Sequence, residues 1–269
     1  MNMLDTSLGR VEIRELSGLE ELAAAEPLQL EVWGRETLPE SRELFLAVQH
    51  AGGLVGGAFD PSGALVGLVF SFPTRDPVLQ HSHRLAVLPA WRGQGLAPAL
   101  KWFQRDWCLE RGVTRVEWTV DPLRMPNAAL NAGLLGAGAA IYLLDYYGAM
   151  QGIDAGLPSD RLWMEWRLAS PRVAALSRKE VPPDRSETAW PANRVQDGCP
   201  RDPRPDLDAP LLRLAIPADF SALSLSDPVL ALEWRLHARL LFQTFFARGY
   251  AVCGFTRSGG PAYLLERNA

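Results

Sequence analysis

The chain is expected to fold as an α/β protein with a small α/β segment appended at its C-terminus. Three observations predict this. Short runs rich in β-branched and aromatic residues alternate with longer runs of helical spacing up to about Ala169. A glycine turn, Arg92 to Ala97, lies between an apolar strand and the start of a helix. After Ser177 the composition shifts to proline and charge before structure resumes at Leu211. The 269 residues are enough for one large or two small domains. The expected division is 1–169 as the main domain, 170–210 as a proline-rich linker and 211–269 as the tail.

Val11 to Leu16 alternates apolar and charged residues, as a half-buried strand does. Leu19 to Trp33 and Arg42 to His50 carry helix spacing. Gly53 to Phe59 and Ala64 to Phe72 form a hairpin around Asp60-Pro61-Ser62-Gly63, a strong turn sequence. His81 to Leu88 is a strand, and Gly93 to Arg111 a helix stopped by Gly112. Arg115 to Val120 is a strand that Asp121-Pro122 ends. Asn127 to Leu135 is a short helix, and Ala139 to Tyr147 and Leu162 to Leu168 are strands. In the tail, Leu211 to Ile216 is a strand. Asp227 caps a helix with Pro228 at its first position. Trp234, Ala238, Leu241 and Phe245 make a core stripe along that helix. Tyr250 to Thr256 and Ala262 to Leu265 close a hairpin. About 60 residues bury little alone, so the tail is expected to pack on the main domain or on a partner subunit.

The composition, 48% hydrophobic and 22% charged, is that of a soluble globular protein. A net charge of −4 offers no electrostatic case for nucleic acid or a membrane surface. The sequence from Met1 to Arg10 lacks the features of a signal peptide, and no apolar run is long enough to span a membrane; the expected location is the cytoplasm. Cys108, Cys199 and Cys253 are far apart, with no metal-ligand spacing, so neither a disulfide framework nor a metal is expected. The tryptophans in apparent strands, Trp118, Trp163 and Trp166, read as packing residues.

The glycine turn carries the chemistry. A helix start presents unpaired N–H groups and a positive dipole end, and glycine lets that backbone approach a phosphate. A dinucleotide fingerprint would need a third glycine early in a βαβ unit, and a P-loop would need Gly-Lys-Ser/Thr; both are absent. Arg92-Gly93-Gln94-Gly95-Leu96-Ala97 instead fits Arg-x-x-Gly-x-Gly/Ala, preceded by Val87 and Pro89.

With these residues in this order of elements, the sequence resembles the GNAT superfamily of acyl-CoA-dependent N-acyltransferases over roughly Val11 to Leu168. The resemblance implies a mixed, mostly antiparallel central sheet with a splayed strand pair. It implies that Leu85, Ala86 and Val87 line the pantetheine arm of acetyl-CoA or another acyl-CoA. Arg92, Gly93, Gln94, Gly95, Leu96 and Ala97 would hold the pyrophosphate, with Asn127 near the CoA arm. Leu135-Gly136-Ala137 stands where the family often has Leu-Gly-Phe. The tyrosine that often protonates the leaving thiolate would fall at Ala132, so the acid must come from elsewhere. Tyr142 and Tyr146, sharing one face of their expected strand, are the candidates, with Tyr147 on the other face.

The attacking amine must lose a proton to a base or a water relay. His81 and His83 stand on one face of the strand that leads into the turn, His83 nearer the expected reaction centre. Glu117 and Asp121 have matching parity on the next strand. Asp160 and Arg161 read as a structural turn or a substrate grip, and Arg235 and Arg239 as a solvated face or an anion grip. The expected reaction is direct acyl transfer, with acetyl-CoA as the expected donor, to a small amine or amino acid. Succinyl transfer to amino acids and a non-catalytic CoA-binding module are the alternatives, and a homodimer is a possible assembly. Segments resembling a bacterial subgroup of predicted acetyltransferases, among them Asp121-Pro122-Leu123 and Ser159-Asp160-Arg161, keep succinyl-CoA open as the donor.

Overall fold

The structure, a computed structural model, describes residues 2–36, 38–149, 156–180 and 182–267. The chain forms two compact units, Met1–Trp118 with Arg167–Ala169, and Thr119–Trp166 with Ser170–Ala269.

The first unit holds six strands in sequential order: β1 (Asn2–Thr6), β2 (Gly9–Glu15), β3 (Leu54–Phe59), β4 (Leu65–Pro73), β5 (Leu79–Val87) and β6 (Arg115–Val120, of which the unit includes residues up to Trp118). Neighbours run antiparallel except β5 and β6, which run parallel. Three helices accompany them: α1 (Gly18–Trp33), α2 (Arg42–His50) and α3 (Leu96–Glu110). Their caps follow from sequence. Ser41 Oγ accepts from the Leu44 amide at the start of α2. Glu21, held by both terminal nitrogens of Arg14, accepts from the Ser17 amide at the start of α1. Every residue of β3 is buried. That burial needs Gly56 and Gly57, because a Cβ there would lie 2.8 Å from Phe103 and 2.5 Å from Leu65. Leu22, Leu28, Phe45, Val55, Leu68 and Phe70 join α1 and α2 to β3 and β4 in one apolar core. Strand β1, which the sequence pattern did not single out, pairs with β2 along its whole length.

The second unit contains α4 (Met125–Ala128), which continues as a π-helical turn over Ala129–Leu134, then β7 (Gly138–Leu143) and β8 (Arg161–Arg167). Next come α5 (Pro171–Ser177), β9 (Trp190–Pro191), β10 (Arg194–Gln196) and β11 (Cys199–Arg201). The tail supplies β12 (Leu211–Ala215), α6 (Phe220–Ser226), α7 (Pro228–Ala247), β13 (Tyr250–Thr256) and β14 (Ala262–Arg267). Strand order is β8-β7-β13-β14-β12-β9, with β10 and β11 as a separate hairpin. The tail therefore packs on the segment that follows β6: Val252 of β13 pairs with Ala139 of β7, and α7 packs on β7 and β13. The expected stripe is the core of α7, with Trp234, Ala238, Leu241 and Phe245 all buried.

Two expectations need correction. The expected proline-rich linker holds a helix, three short strands and a buried clamp. Asn193 donates to the carbonyl of Ala215 and accepts its amide, at 3.0 and 2.8 Å. The β10–β11 turn is Asp197-Gly198, both at positive φ, the geometry a two-residue hairpin requires. The strand expected over Ala139 to Tyr147 ends at Leu143, and Asp145 adopts φ 44°. Tyr146 and Tyr147 therefore lie beyond the strand, and strand parity does not relate them to Tyr142.

Candidate active site

In the first unit, β5 pairs with β4 along its length but with β6 only from Leu79 to His81, opposite Arg115 to Glu117. Beyond that point β5 leaves β6, so Ser82 to Val87 present one backbone edge without a strand partner among the described residues. Leu85, Ala86 and Val87 lie on that edge. The β4–β5 register shifts between Phe70, opposite Arg84, and Ser71, opposite Ser82. His83 is the extra residue of this bulge. Bulges redirect side chains and concentrate near active sites.

A 3-10 turn, Pro89–Trp91, leads from β5 to the glycine turn. Gly93 and Gly95 adopt φ 78° and 82°, the left-handed region. A Cβ built on either meets nothing within 4 Å, so both face open space. Gly95 caps α3, and no acidic residue lies in the first turn. Among the described residues, the amides of Gly93 to Ala97 have no backbone acceptor. Leu96 is buried and anchors that turn, whereas Arg92 is exposed and bonds the Val87 carbonyl. The Gln94 side chain accepts from the Ser7 amide at 3.1 Å and the Ser7 hydroxyl at 2.8 Å. Open-faced positive-φ glycines and outward amides at a 15-residue helix fit a pyrophosphate.

His83 is 39% exposed along its side chain, with Nε2 3.1 Å from Glu40 Oε1. His81 is more enclosed, and its ring stacks on Phe72 at 5.2 Å. Burial, then the charges of His83 and Lys101, lower its pKa to about 4. At neutral pH His81 is therefore uncharged.

In the second unit, Asp121 does not meet solvent. It is 5% exposed, and both its oxygens are taken by Arg235 of α7, at 2.9 and 2.7 Å. It also accepts from the Leu123 amide, and Arg161 lies 3.8 Å away. Tyr142 donates to Asp160 at 2.8 Å. Burial, then the Asp160 charge, raise its pKa well above the usual value. Arg239 of α7 grips Asp160 with two bonds of 2.8 Å. Arg235 and Arg239 thus bind carboxylates of the protein itself rather than forming a solvated face. Tyr146 is 46% exposed, and Tyr147, 55% exposed, shares a hydrogen bond with Thr119. Ala132 is fully buried, and its carbonyl accepts from Arg172. Asn127 is exposed at the start of the short helix.

A profile of the acetyltransferase (GNAT) family matches residues 16–131, the span that contains the splayed strand, the bulge and the glycine turn. Over residues 16–131 the chain is similar to the GNAT acetyltransferases. Among solved structures, the Salmonella typhimurium protein yncA, determined with its cofactor acetyl-CoA, aligns at 16% identity with a TM-score of 0.50, covering 65% of this chain and 98% of that one. The ribosomal-protein-S18-alanine N-acetyltransferase of Escherichia coli aligns at 21% identity and a TM-score of 0.49, covering 60% and 95%. At 16% identity the likeness to yncA is one of fold. No curated protein matches the chain. Among the described residues, no group of three or more His, Cys, Asp or Glu could hold a metal ion, and no helix is long and apolar enough to cross a membrane.

Sequence reasoning missed Glu40, Gln29 and Lys101. Glu40 sits in a loop without a motif, and its partners become visible only in three dimensions. Lys101 is buried against Ser82 and Gln104, over the Trp118 ring at 4.0 Å. Burial lowers its pKa to about 7.

Proposed function

We propose that the GNAT domain transfers an acetyl group directly from acetyl-CoA to a small primary amine, an amino acid among them, with His83 as the base. The observation that carries this reading is the bulged His83 on the strand whose free edge runs into the glycine turn. Bound acyl-CoA supplies an activated thioester carbonyl. The free edge of Leu85 to Val87 would orient the pantetheine arm. The amides of Gly93 to Ala97 would hold the pyrophosphate, and Arg92 would add charge at its rim. Asn127 stays the assigned contact to the CoA arm. His83 takes the proton of the attacking ammonium so that the nitrogen becomes a nucleophile.

Asp121 and Tyr142, candidates by parity, are better read as structural. One is sealed against Arg235, and the other spends its proton on Asp160. Tyr146 is the remaining candidate for the acid that protonates the departing thiolate, and its ring is exposed. Turnover read beside CoA affinity separates these roles from binding. His83→Ala is expected to lower kcat by about a hundredfold with CoA affinity unchanged. Tyr146→Phe is expected to lower kcat about tenfold. Unchanged turnover in either variant takes that residue out of the mechanism. Succinyl-CoA is the second donor to test, and equal turnover with it would widen the assignment to acyl transfer.

A further inference from the structure

In a regular strand, consecutive side chains point to opposite faces. His83 and Arg84 are consecutive, yet both reach one oxygen, Oε1 of Glu40. His83 Nε2 lies 3.1 Å from it, Arg84 Nε 3.2 Å and Arg84 Nη2 2.9 Å. The bulge at His83 makes this possible. Glu40 lies between α1 and α2 and is fixed by its main chain. Gln29 of α1, 1% exposed, accepts from the Glu40 amide at 3.0 Å and donates to the Glu40 carbonyl at 3.0 Å. A further bond from the Gln29 Nε2 to the Ala25 carbonyl orients that amide. The Arg84 guanidinium is itself held 4.8 Å over the ring of Trp33.

We propose that Gln29 and Glu40 form a positioning clamp that holds His83 as its Nε2–H tautomer, leaving Nδ1 as the nitrogen that takes the acceptor's proton. An ionised carboxylate only accepts hydrogen bonds, so the imidazole nitrogen facing it must carry hydrogen. Burial raises the Glu40 pKa, and the bonds from Arg84 and His83 more than offset this, so the net shift is downward and the group is ionised at neutral pH. In the step itself, one N–H bond of the ammonium breaks and Nδ1–H forms. His83 becomes an imidazolium whose Nε2–H stays on Glu40, and the neutral amine keeps its electron pair for attack. The groups that face His83 are Glu40 from the loop, Arg84 and His81 from its own strand, and Phe70 and Phe72 from β4. Farther out, Glu117 of β6 and Lys101 of α3 act on His81.

This inference rests on His83 being the base, and two readouts keep the questions apart. The first is the ¹⁵N spectrum of the histidine rings in the free protein at neutral pH, assigned with His83→Ala. It is expected to show His83 as the Nε2–H form, and an Nδ1–H form overturns the clamp whatever the base. The second is the variant Glu40→Gln, which keeps the side-chain size. It is expected to mix the two tautomers and to lower kcat about tenfold. The KM for acetyl-CoA is expected to stay within about twofold. An unchanged tautomer and kcat in Glu40→Gln overturn the clamp while leaving the base in place. An unchanged kcat in His83→Ala removes the base, and the free-protein spectrum still decides the clamp.

Discussion

Replacing Asp121 with asparagine is expected to lower the unfolding free energy of the second unit by about 3–5 kcal/mol, the loss found when one member of a buried ion pair is removed. The size follows from what stays behind. Arg235 is 1% exposed and makes two charge-assisted bonds to Asp121, and its buried Nε has no partner among the described residues. Without the carboxylate, a guanidinium remains in a low-dielectric site, where an unpaired charge is costly. Urea denaturation measures the loss. Adding Arg235→Met to Asp121→Asn is expected to recover a large part, because the charge goes with its partner. A single variant that unfolds like the wild type would contradict the pairing. Acid acts on the same bond. Burial alone would raise the Asp121 pKa, but Arg235 more than offsets it and the net shift is downward. The folded state therefore holds this proton less tightly than the unfolded chain. The stabilisation is present above the ordinary aspartate pKa of about 3.9, and it is lost as pH falls through the lower folded value.

Gly95→Glu is expected to weaken CoA binding at least about a hundredfold. Two effects act together. At φ 82° a side chain costs about 1–2 kcal/mol of backbone strain, and the new carboxylate enters the space that the α3 amides offer to a phosphate. Gly95→Ala separates the two, since it adds the strain without the charge. Its expected signature is a small loss of stability with a much milder loss of affinity. Calorimetric titration with CoA reads both variants. Equal affinity of Gly95→Glu and the wild type would remove the glycine turn from the binding site.

The strand, turn and helix start proposed to hold the donor were legible as local structure because they depend only on sequence neighbours. A strand, two glycines at fixed spacing and a helix start lie within 13 residues, from Leu85 to Ala97, and each has a direct backbone consequence. The α7 stripe was legible for the same reason, as a period on one element. Readings that depended on long-range partners failed. Asp121 had the parity of a catalytic strand residue, but its partner lies 114 positions away. Tyr146 was assigned a face on a strand that ends at Leu143. His83 and Arg84 would have been put on opposite faces by any period of two, and only the bulge brings both to Glu40. The Asp197-Gly198 turn was a readable hairpin signal, obscured by the proline and charge around it.

Acyl transfer, rather than CoA binding alone, is the activity proposed for this fold. Mass spectrometry of the purified protein with acetyl-CoA and a panel of amino acids and polyamines tests it most directly. The expected product is an N-acetylated amine with matching release of free CoA, abolished in Gly95→Glu and strongly reduced in His83→Ala. Tight CoA binding without acylation of any amine, or product formation indifferent to both substitutions, would contradict it.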